Sequence, residues 1–227
     1  MAVYNVGVIL AGGIGARLSS TQKKQYLELA GKECIAYVIE AYQQAKKLDK
    51  IVVVVNKEQY DNGYIAEKYG LECARGGDTR NESIYNGLCY IHEHYPECRK
   101  VILHDAARPF IRSDIIDDYM DLLEDHVCVV NSLDITDGIG KRMNEEVKRE
   151  EFYISQTPEG FQFPPFFEIF DPNAPIVALS HHFPKDVSMA HYKKFPYNLK
   201  LTYPEDVFVA EQLIRAGFKE YMRSLKK

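Results

Sequence analysis

The sequence has no run of about 18 apolar residues, so no stretch is long enough to cross a bilayer as a helix. Its N-terminus offers one short apolar segment instead of a secretory signal. It has no C-x-x-C pair. The five cysteines, Cys34, Cys73, Cys89, Cys98 and Cys128, are scattered, which fits free thiols in a reducing cytoplasm rather than a metal knuckle or a redox motif. It also has no excess of positive charge: at a formal net charge of −5 it lacks the basic footprint of a dedicated DNA or RNA binder. A few local cations would still serve a small phosphorylated substrate. No internal repeat or low-complexity tract occurs. These absences predict a cytoplasmic protein that engages neither membrane nor nucleic acid.

What is present is an ample core. The hydrophobic fraction of 46% over 227 residues fits one large α/β domain spanning 1–227, and 27% charged residues suit its surface. Val6–Leu10, Ile51–Val55, Val101–His104 and Val127–Asn131 are unbroken apolar runs of the kind found in parallel strands buried on both faces. Between them, Ile35, Val38, Ile39 and Tyr42 recur at helical spacing, as do Ile84, Leu88, Ile91 and Tyr95. Ser113 is a candidate N-cap for a helix through Leu123. Thr202–Tyr203–Pro204–Glu205 has the pattern of a capping box, with Val209, Leu213 and Ile214 as its buried stripe. The alternation predicts a doubly wound, mostly parallel α/β sheet. The polar stretch from Asp134 to Ile154, with its Gly138–Ile139–Gly140 turn, breaks that rhythm. It is expected to project as a β-arm, which is not stable alone and so packs on a second subunit.

Three segments carry candidate chemistry. Leu10–Arg17 follows the first strand, and its glycines let backbone N–H groups approach a polyphosphate closely. Nicotinamide-binding dehydrogenases also open with a strand and a Gly-rich turn, but they need an acidic residue at the end of the second strand to hold ribose hydroxyls. Here that strand is followed by Asn56–Lys57, and Arg17, Lys23 and Lys24 add cations to the turn. The loop suits a nucleoside triphosphate; a plain glycine turn with solvated lysines is the alternative. In Gly76–Ser83, Thr79 and Glu82 form a capping box, while the two glycines place bare backbone at the ligand-binding edge of the sheet. His104–Pro109 delivers Asp105 to the same edge with Arg108 behind it. A carboxylate beside a triphosphate implies a bridging Mg²⁺, unless Asp105 and Arg108 are only an ion pair that ties the loop down. His104 is expected to be a satisfied strand-end histidine. His181–His182 is not expected to hold a metal, because neighbours in an extended chain face opposite ways.

In order along nearly the whole chain stand LAGGIGARL, KKQYLEL, GGDTRNES, HDAARPFI, VKREEFYISQTPEGF and NLKLTYPEDVFVAE. Together they resemble the cytidylyltransferase family that includes the methylerythritol-phosphate enzyme of isoprenoid synthesis and the ribitol-phosphate enzyme of cell-wall polymer synthesis. The resemblance implies the Rossmann-like nucleotidyltransferase fold and CTP as substrate. By it, Arg17, Lys24 and Lys200 are catalytic cations. Ala11, Gly12, Gly13, Gly15, Gly77, Asp78 and Ser83 bind CTP, and Asp105 holds Mg²⁺ or another divalent cation. Arg108, Arg149 and Thr157 bind the acceptor phosphate, with Arg149 reaching over from a homodimeric partner's arm.

The reaction implied is in-line attack of an acceptor phosphate oxygen on the α-phosphorus of CTP, with pyrophosphate leaving. Such an oxygen is already anionic near pH 7 and needs no general base. Relatives have Pro-Lys-Gln where this chain has Lys23–Lys24–Gln25, Asp-Thr in the arm where it has Asp137–Gly138, and Asp where it has Tyr197. The double glycine after Leu10–Ala11 and the Asn198–Leu199–Lys200 run lean towards a ribitol 5-phosphate-like polyol acceptor. Methylerythritol 4-phosphate is the alternative acceptor, and a catalytically silent nucleotide-binding relative the alternative of another class. Intact Arg17, Lys24, Asp105 and Lys200 argue against the silent reading.

Overall fold

An extended strand turns neighbouring side chains to opposite faces, so a run such as Val52–Val53–Val54–Val55 stays apolar throughout only where both faces of its sheet are covered. The computed structural model describes residues 4–13, 23–140 and 147–225 and meets that condition. In chain order its strands are β1 (Tyr4–Ala11), β2 (Glu28–Leu29), β3 (Lys32–Glu33), β4 (Lys50–Val55), β5 (Glu72–Arg75), β6 (Cys98–Asp105), β7 (Cys128–Asp134), β8 (Tyr153–Gln162) and β9 (Met189–Tyr192). Its helices are α1 (Cys34–Gln43), α2 (Lys57–Asp61), α3 (Tyr64–Tyr69), α4 (Arg80–His94), α5 (Ser113–Asp125), α6 (Phe163–Ile169), α7 (Pro204–Arg215) and α8 (Phe218–Ser224). Seven strands form one sheet in the order β5-β4-β1-β6-β8-β7-β9, and β2 and β3 make a small hairpin.

The four apolar runs of the sequence become β1, β4, β6 and β7, each a little longer than its run. Val53, Val55, Ile9, Ile102 and Val129 face α1 and α5, whose Ile35, Val38, Ile39, Ile115, Ile116 and Tyr119 complete one core. Val52, Val54, Val6, Val8, Val101 and Leu103 face the other way, onto Ile84, Leu88 and Ile91 of α4 and Phe163 and Phe166 of α6. The sheet is therefore covered on both faces, as the unbroken valine runs require. Phe161 of β8 stacks on Phe166 with ring centroids 3.9 Å apart and anchors α6.

Three local readings need correction. Ser113 is the first residue of α5 rather than its cap; extended Arg112 holds the cap position, and its guanidinium Nε lies 3.0 Å from Asp114 Oδ1 in the first turn. At α7 the reciprocal carboxylate is Asp206, not Glu205: its Oδ2 accepts from the N–H groups of Thr202 and Tyr203 at 2.7 Å each. The sequence pattern points one residue too early, because Pro204 and not Tyr203 opens the helix. The buried side of α7 is consequently Val207, Ala210, Leu213 and Ile214, while Val209 is 44% exposed.

β8 is not legible as a strand, since SQTPEG carries polar residues, a proline and a glycine. It runs antiparallel to both β6 and β7, whereas the β1–β4, β1–β6, β4–β5 and β7–β9 pairs are parallel. Pairing of β7 with β8 persists to Asp134–Tyr153, so the polar stretch of 134–154 leaves the sheet as an excursion between two antiparallel strands. Residues 141–146 of that stretch lie outside the described residues.

Gly7 sits in β1 where a Cβ would come within 2.5 Å of the Tyr42 ring and 2.8 Å of Leu48. Tyr42 is itself buried in the core, so it has little room to withdraw. Gly7→Ala is expected to destabilise the fold by about 1–3 kcal/mol, the usual scale of an overpacked core. Urea unfolding of the two proteins measures this; equal midpoints would show that the contact relaxes freely.

Candidate functional site

The C-terminal ends of β1, β4, β5 and β6 open into a cavity of about 610 Å³. In doubly wound sheets this edge is where ligands sit, because the loops leaving parallel strands splay apart there. One wall is the loop after β1, with Gly12 and Gly13 in the lining. Gln25, buried, props that loop: its Nε2 donates to the carbonyls of Ala11 at 2.6 Å and Gly13 at 3.0 Å. Ala11 is thus the buried root of the loop rather than part of the lining. Lys24 begins the short turn Lys24–Tyr26 and lines the cavity. Lys23 is drawn aside to Glu58 at 2.5 Å. Gly15 and Arg17, both candidates by motif, lie outside the described residues.

The facing wall is the 76–83 segment that opens α4. Its capping box forms in full: Thr79 Oγ1 accepts from Glu82 N–H at 3.1 Å, and Glu82 Oε2 accepts from Thr79 N–H at 3.0 Å and Asp78 N–H at 2.8 Å. A Cβ on Gly77 would meet Glu82 Cβ at 2.4 Å, so the box itself demands glycine there. Ser83 turns back onto the same loop, its Oγ accepting from Gly77 N–H at 3.1 Å and donating to Thr79 O at 2.9 Å. The segment is preset by its own hydrogen bonds, with Gly77, Asp78 and Ser83 in the lining.

Asp105, at the end of β6, is the charged centre. Lys200 Nζ lies 2.6 Å from its Oδ2 and Arg108 Nε 3.5 Å from the same oxygen. Its N–H donates to Thr157 Oγ1 at 3.2 Å. Burial opposes its charge, but Lys200, Arg80 and Arg108 outweigh that cost and hold the carboxyl well below the usual carboxylate range. Arg108 is in turn fixed by Nη1 donating to Asn198 O at 2.6 Å, and the Asn198 amide donates to Thr157 O. His104, fully buried, donates from Nε2 to Arg108 O at 3.1 Å; burial pushes it down to about 3, so it stays neutral and structural.

A second cavity of about 410 Å³ lies on the other side of this knot and is lined by Arg108, Gln156, Thr157, Glu159 and the 175–178 loop. Arg80, Asp105 and Lys200 line both cavities. Of the proposed site residues, Lys24, Lys200, Asp105, Gly12, Gly13, Gly77, Asp78, Ser83, Arg108 and Thr157 are brought to these two adjoining spaces. Arg149 is not: it is exposed, donates from Nη1 to Thr136 O at 2.7 Å, and lines neither cavity of its own chain. Among the described residues no three His, Cys, Asp or Glu side chains gather into a metal cluster. His181 and His182 lie in the single turn Leu179–His182 instead of an extended segment, with His181 lining the second cavity.

Four residues at the site escape sequence reasoning. Gln25, Arg80 and Asn198 are visible only as members of motifs, with no local signal for their long-range bonds. Glu159 is the fourth. It is buried, accepts from Ser180 N–H at 3.2 Å, and fastens the 179–182 turn to the second cavity. Burial pushes its carboxyl up to about 7, against the opposing pull of Arg80 and the Ser180 and Leu179 amides.

The family model for IspD, 2-C-methyl-D-erythritol 4-phosphate cytidylyltransferase, matches residues 5–216, a span that stops before α8. A 2-C-methyl-D-erythritol 4-phosphate cytidylyltransferase of Clostridioides difficile is 28% identical over 99% of this chain and 99% of its own length. The bifunctional enzyme IspD/IspF of Mesorhizobium japonicum is 30% identical over 90% of this chain and 54% of its own. The crystal structure of the 4-diphosphocytidyl-2C-methyl-D-erythritol synthase from Anaerococcus prevotii superposes with a TM-score of 0.77 at 21% identity, covering 94% of this chain and 99% of that one; at this identity it speaks for the fold.

Because the folded-state value of Glu159 lies above the ordinary glutamate value of 4.5, the native chain binds more protons than the unfolded chain between pH 4.5 and about 7. Stability therefore falls as pH rises through that window. Glu159→Gln removes this loss, and the variant is expected to gain on the order of 1–3 kcal/mol relative to the wild type between pH 5 and pH 8. Unfolding curves across pH test it, and parallel profiles would refute the raised value.

Proposed function

The chain belongs to the 2-C-methyl-D-erythritol 4-phosphate cytidylyltransferase family and is a CTP-dependent nucleotidyltransferase; on that premise we propose that it transfers CMP from CTP to 2-C-methyl-D-erythritol 4-phosphate, releasing pyrophosphate. The observation that carries this reading is the sharing of Arg80, Asp105 and Lys200 by two adjoining cavities. A nucleotide in the glycine-walled cavity and a phosphorylated acceptor in the second meet across one charged group. The ribitol 5-phosphate expectation gives way here, since the relatives that match the chain over most of its length bear the methylerythritol-phosphate name.

In this reading the backbone of Gly12, Gly13 and Gly15 cradles the triphosphate, with Ala11 as the root of the loop. Arg17 and Lys24 neutralise it, and Gly77, Asp78 and Ser83 hold the nucleoside. The acceptor phosphate lies towards Arg108 and Thr157. Its anionic oxygen attacks the α-phosphorus in line with the departing pyrophosphate. Lys200, already fixed at 2.6 Å from Asp105, stabilises the charge that builds at the junction without having to reorganise.

A divalent cation fits as a companion of the triphosphate. Asp105 Oδ2 is taken by Lys200 and Arg108, while no hydrogen bond among the described residues engages Oδ1. One carboxylate oxygen plus phosphate oxygens is the ligand set that Mg²⁺ commonly accepts, and when bound it would neutralise the leaving pyrophosphate. Arg149 contributes to the acceptor site from the partner of a homodimer formed through the 134–154 arm.

The test is pyrophosphate release from CTP and Mg²⁺ across a panel of acceptors. Release with 2-C-methyl-D-erythritol 4-phosphate, reduced about 10²–10³-fold in Lys24→Ala, is the expected result. Release with ribitol 5-phosphate in its place would overturn the acceptor, and no release with any acceptor would indicate a silent relative.

A further inference from the structure

Away from both substrate cavities, a third cavity of about 260 Å³ is enclosed by α1, the start of α5, and α8. It shares no lining residue with the other two. Its charge is unusual. Four cations, Lys32, Arg112, Lys219 and Arg223, face two carboxylates, Glu40 and Glu220. Two of these charges already satisfy each other: Lys32 Nζ lies 2.6 Å and 2.7 Å from the two oxygens of Glu40. Arg112, only 3% exposed, gives Nε and Nη2 to Asp114, which does not line the cavity.

Lys219 is the anomaly. Its ammonium has no ion pair among the described residues; its hydrogen bond is to Tyr37 O, at a long 3.4 Å. Burial, together with repulsion from Lys32 and Arg112, pushes it down to about 8, in spite of Glu40 and Glu220. Lys219 is partly buried, and an ammonium held there without an ion pair is costly unless an anion completes it. The start of α5 adds donors. This 13-residue helix begins at the cavity with Ser113, and its cap residue, Arg112, has no side-chain acceptor for the first turn; Arg112 O takes the N–H groups of Ile115 and Ile116, and those of Ser113 and Asp114 are the donors nearest the cavity.

We propose that this cavity is a second anion site, which takes a phosphate or diphosphate group between Lys219, Arg112 and the start of α5, separate from the substrate cleft. Its volume equals that of roughly nine waters at about 30 Å³ each, enough for such a group and too little for a nucleotide. α8, which supplies Lys219 and Arg223, lies beyond the span matched by the family model. The bound anion would tie α8 to α1 and α5.

The experiment is calorimetric titration of inorganic phosphate, and separately pyrophosphate, into the full chain with CTP saturating the catalytic cleft and EDTA present. The wild type is expected to show saturable binding. Lys219→Met, which keeps the aliphatic volume, should weaken that binding at least tenfold with CTP affinity unchanged. Arg223→Gln, at the cavity's outer end, should weaken it two- to fivefold and guards against a folding defect in the first variant. Phosphate should also raise the melting temperature of the wild type and not that of Lys219→Met. Without phosphate, Lys219→Met should melt no lower than the wild type, because it removes a partly buried charge that has no ion pair among the described residues; a purely structural lysine would give a loss. Absence of saturable binding in the wild type, or undiminished binding in both variants, overturns the proposal.

Discussion

The arrangement turns on one ion pair, made by a buried carboxylate. Asp105 and Lys200 stand 95 residues apart in sequence and 2.6 Å apart in space. A carboxylate at the end of a buried strand is tolerable only with cations beside it, and Arg108 and Lys200 both lean on the same oxygen. Their positions in turn need Asn198, whose backbone holds Arg108 and whose side chain holds Thr157. Loss of any one of these contacts would leave a buried charge or amide uncompensated. The knot therefore joins the end of β6 and the middle of β8 to the segment before α7, and both cavities take their common wall from it.

The inverted strand makes that knot possible. Had β8 run parallel to its neighbours, its C-terminal end, and not the return from the 134–154 excursion, would stand at the binding edge. Because it runs antiparallel, the chain comes back from the 134–154 excursion at the same edge that β6 reaches at Asp105. Thr157 thereby meets the Asp105 N–H, and Glu159, two residues on, turns inward to hold the 179–182 turn. The excursion and the second cavity are two consequences of one reversal. The glycine-walled half depends less on such long-range closure: the 76–83 segment is organised by its own capping box, and the loop after β1 by Gln25.

This difference explains how unevenly the fold is legible along the chain. Valine-rich runs announce β1, β4, β6 and β7, because a strand covered on both faces must be apolar at successive positions. Helical spacing announces α1 and α4, and the Thr79–Glu82 box is visible because a cap acts over three residues. The start of α7 reads one residue early, since Glu205 and Asp206 are both acidic and only geometry decides which carboxylate reaches back. β8 escapes such reading because its residues serve the site as well as the sheet, so its composition follows neither rule.

The amino-acid sequence by itself determined the doubly wound class and the glycine-walled sheet edge, because short-range periodicity and local backbone demands are written in neighbouring residues; the roles expected of Lys24, Asp105, Arg108, Thr157 and Lys200 came from the likeness of whole motifs to a family. Tertiary structure alone decided that Asp105 and Lys200 pair, that Arg80 stands between two cavities, that Glu159 is buried deeply enough to hold its proton near neutral pH, and that Lys219 lines a cavity with no ion pair among the described residues. Each of these depends on which distant segments exclude water from one point. Desolvation of that kind is a property of the packed assembly and has no signature along the chain.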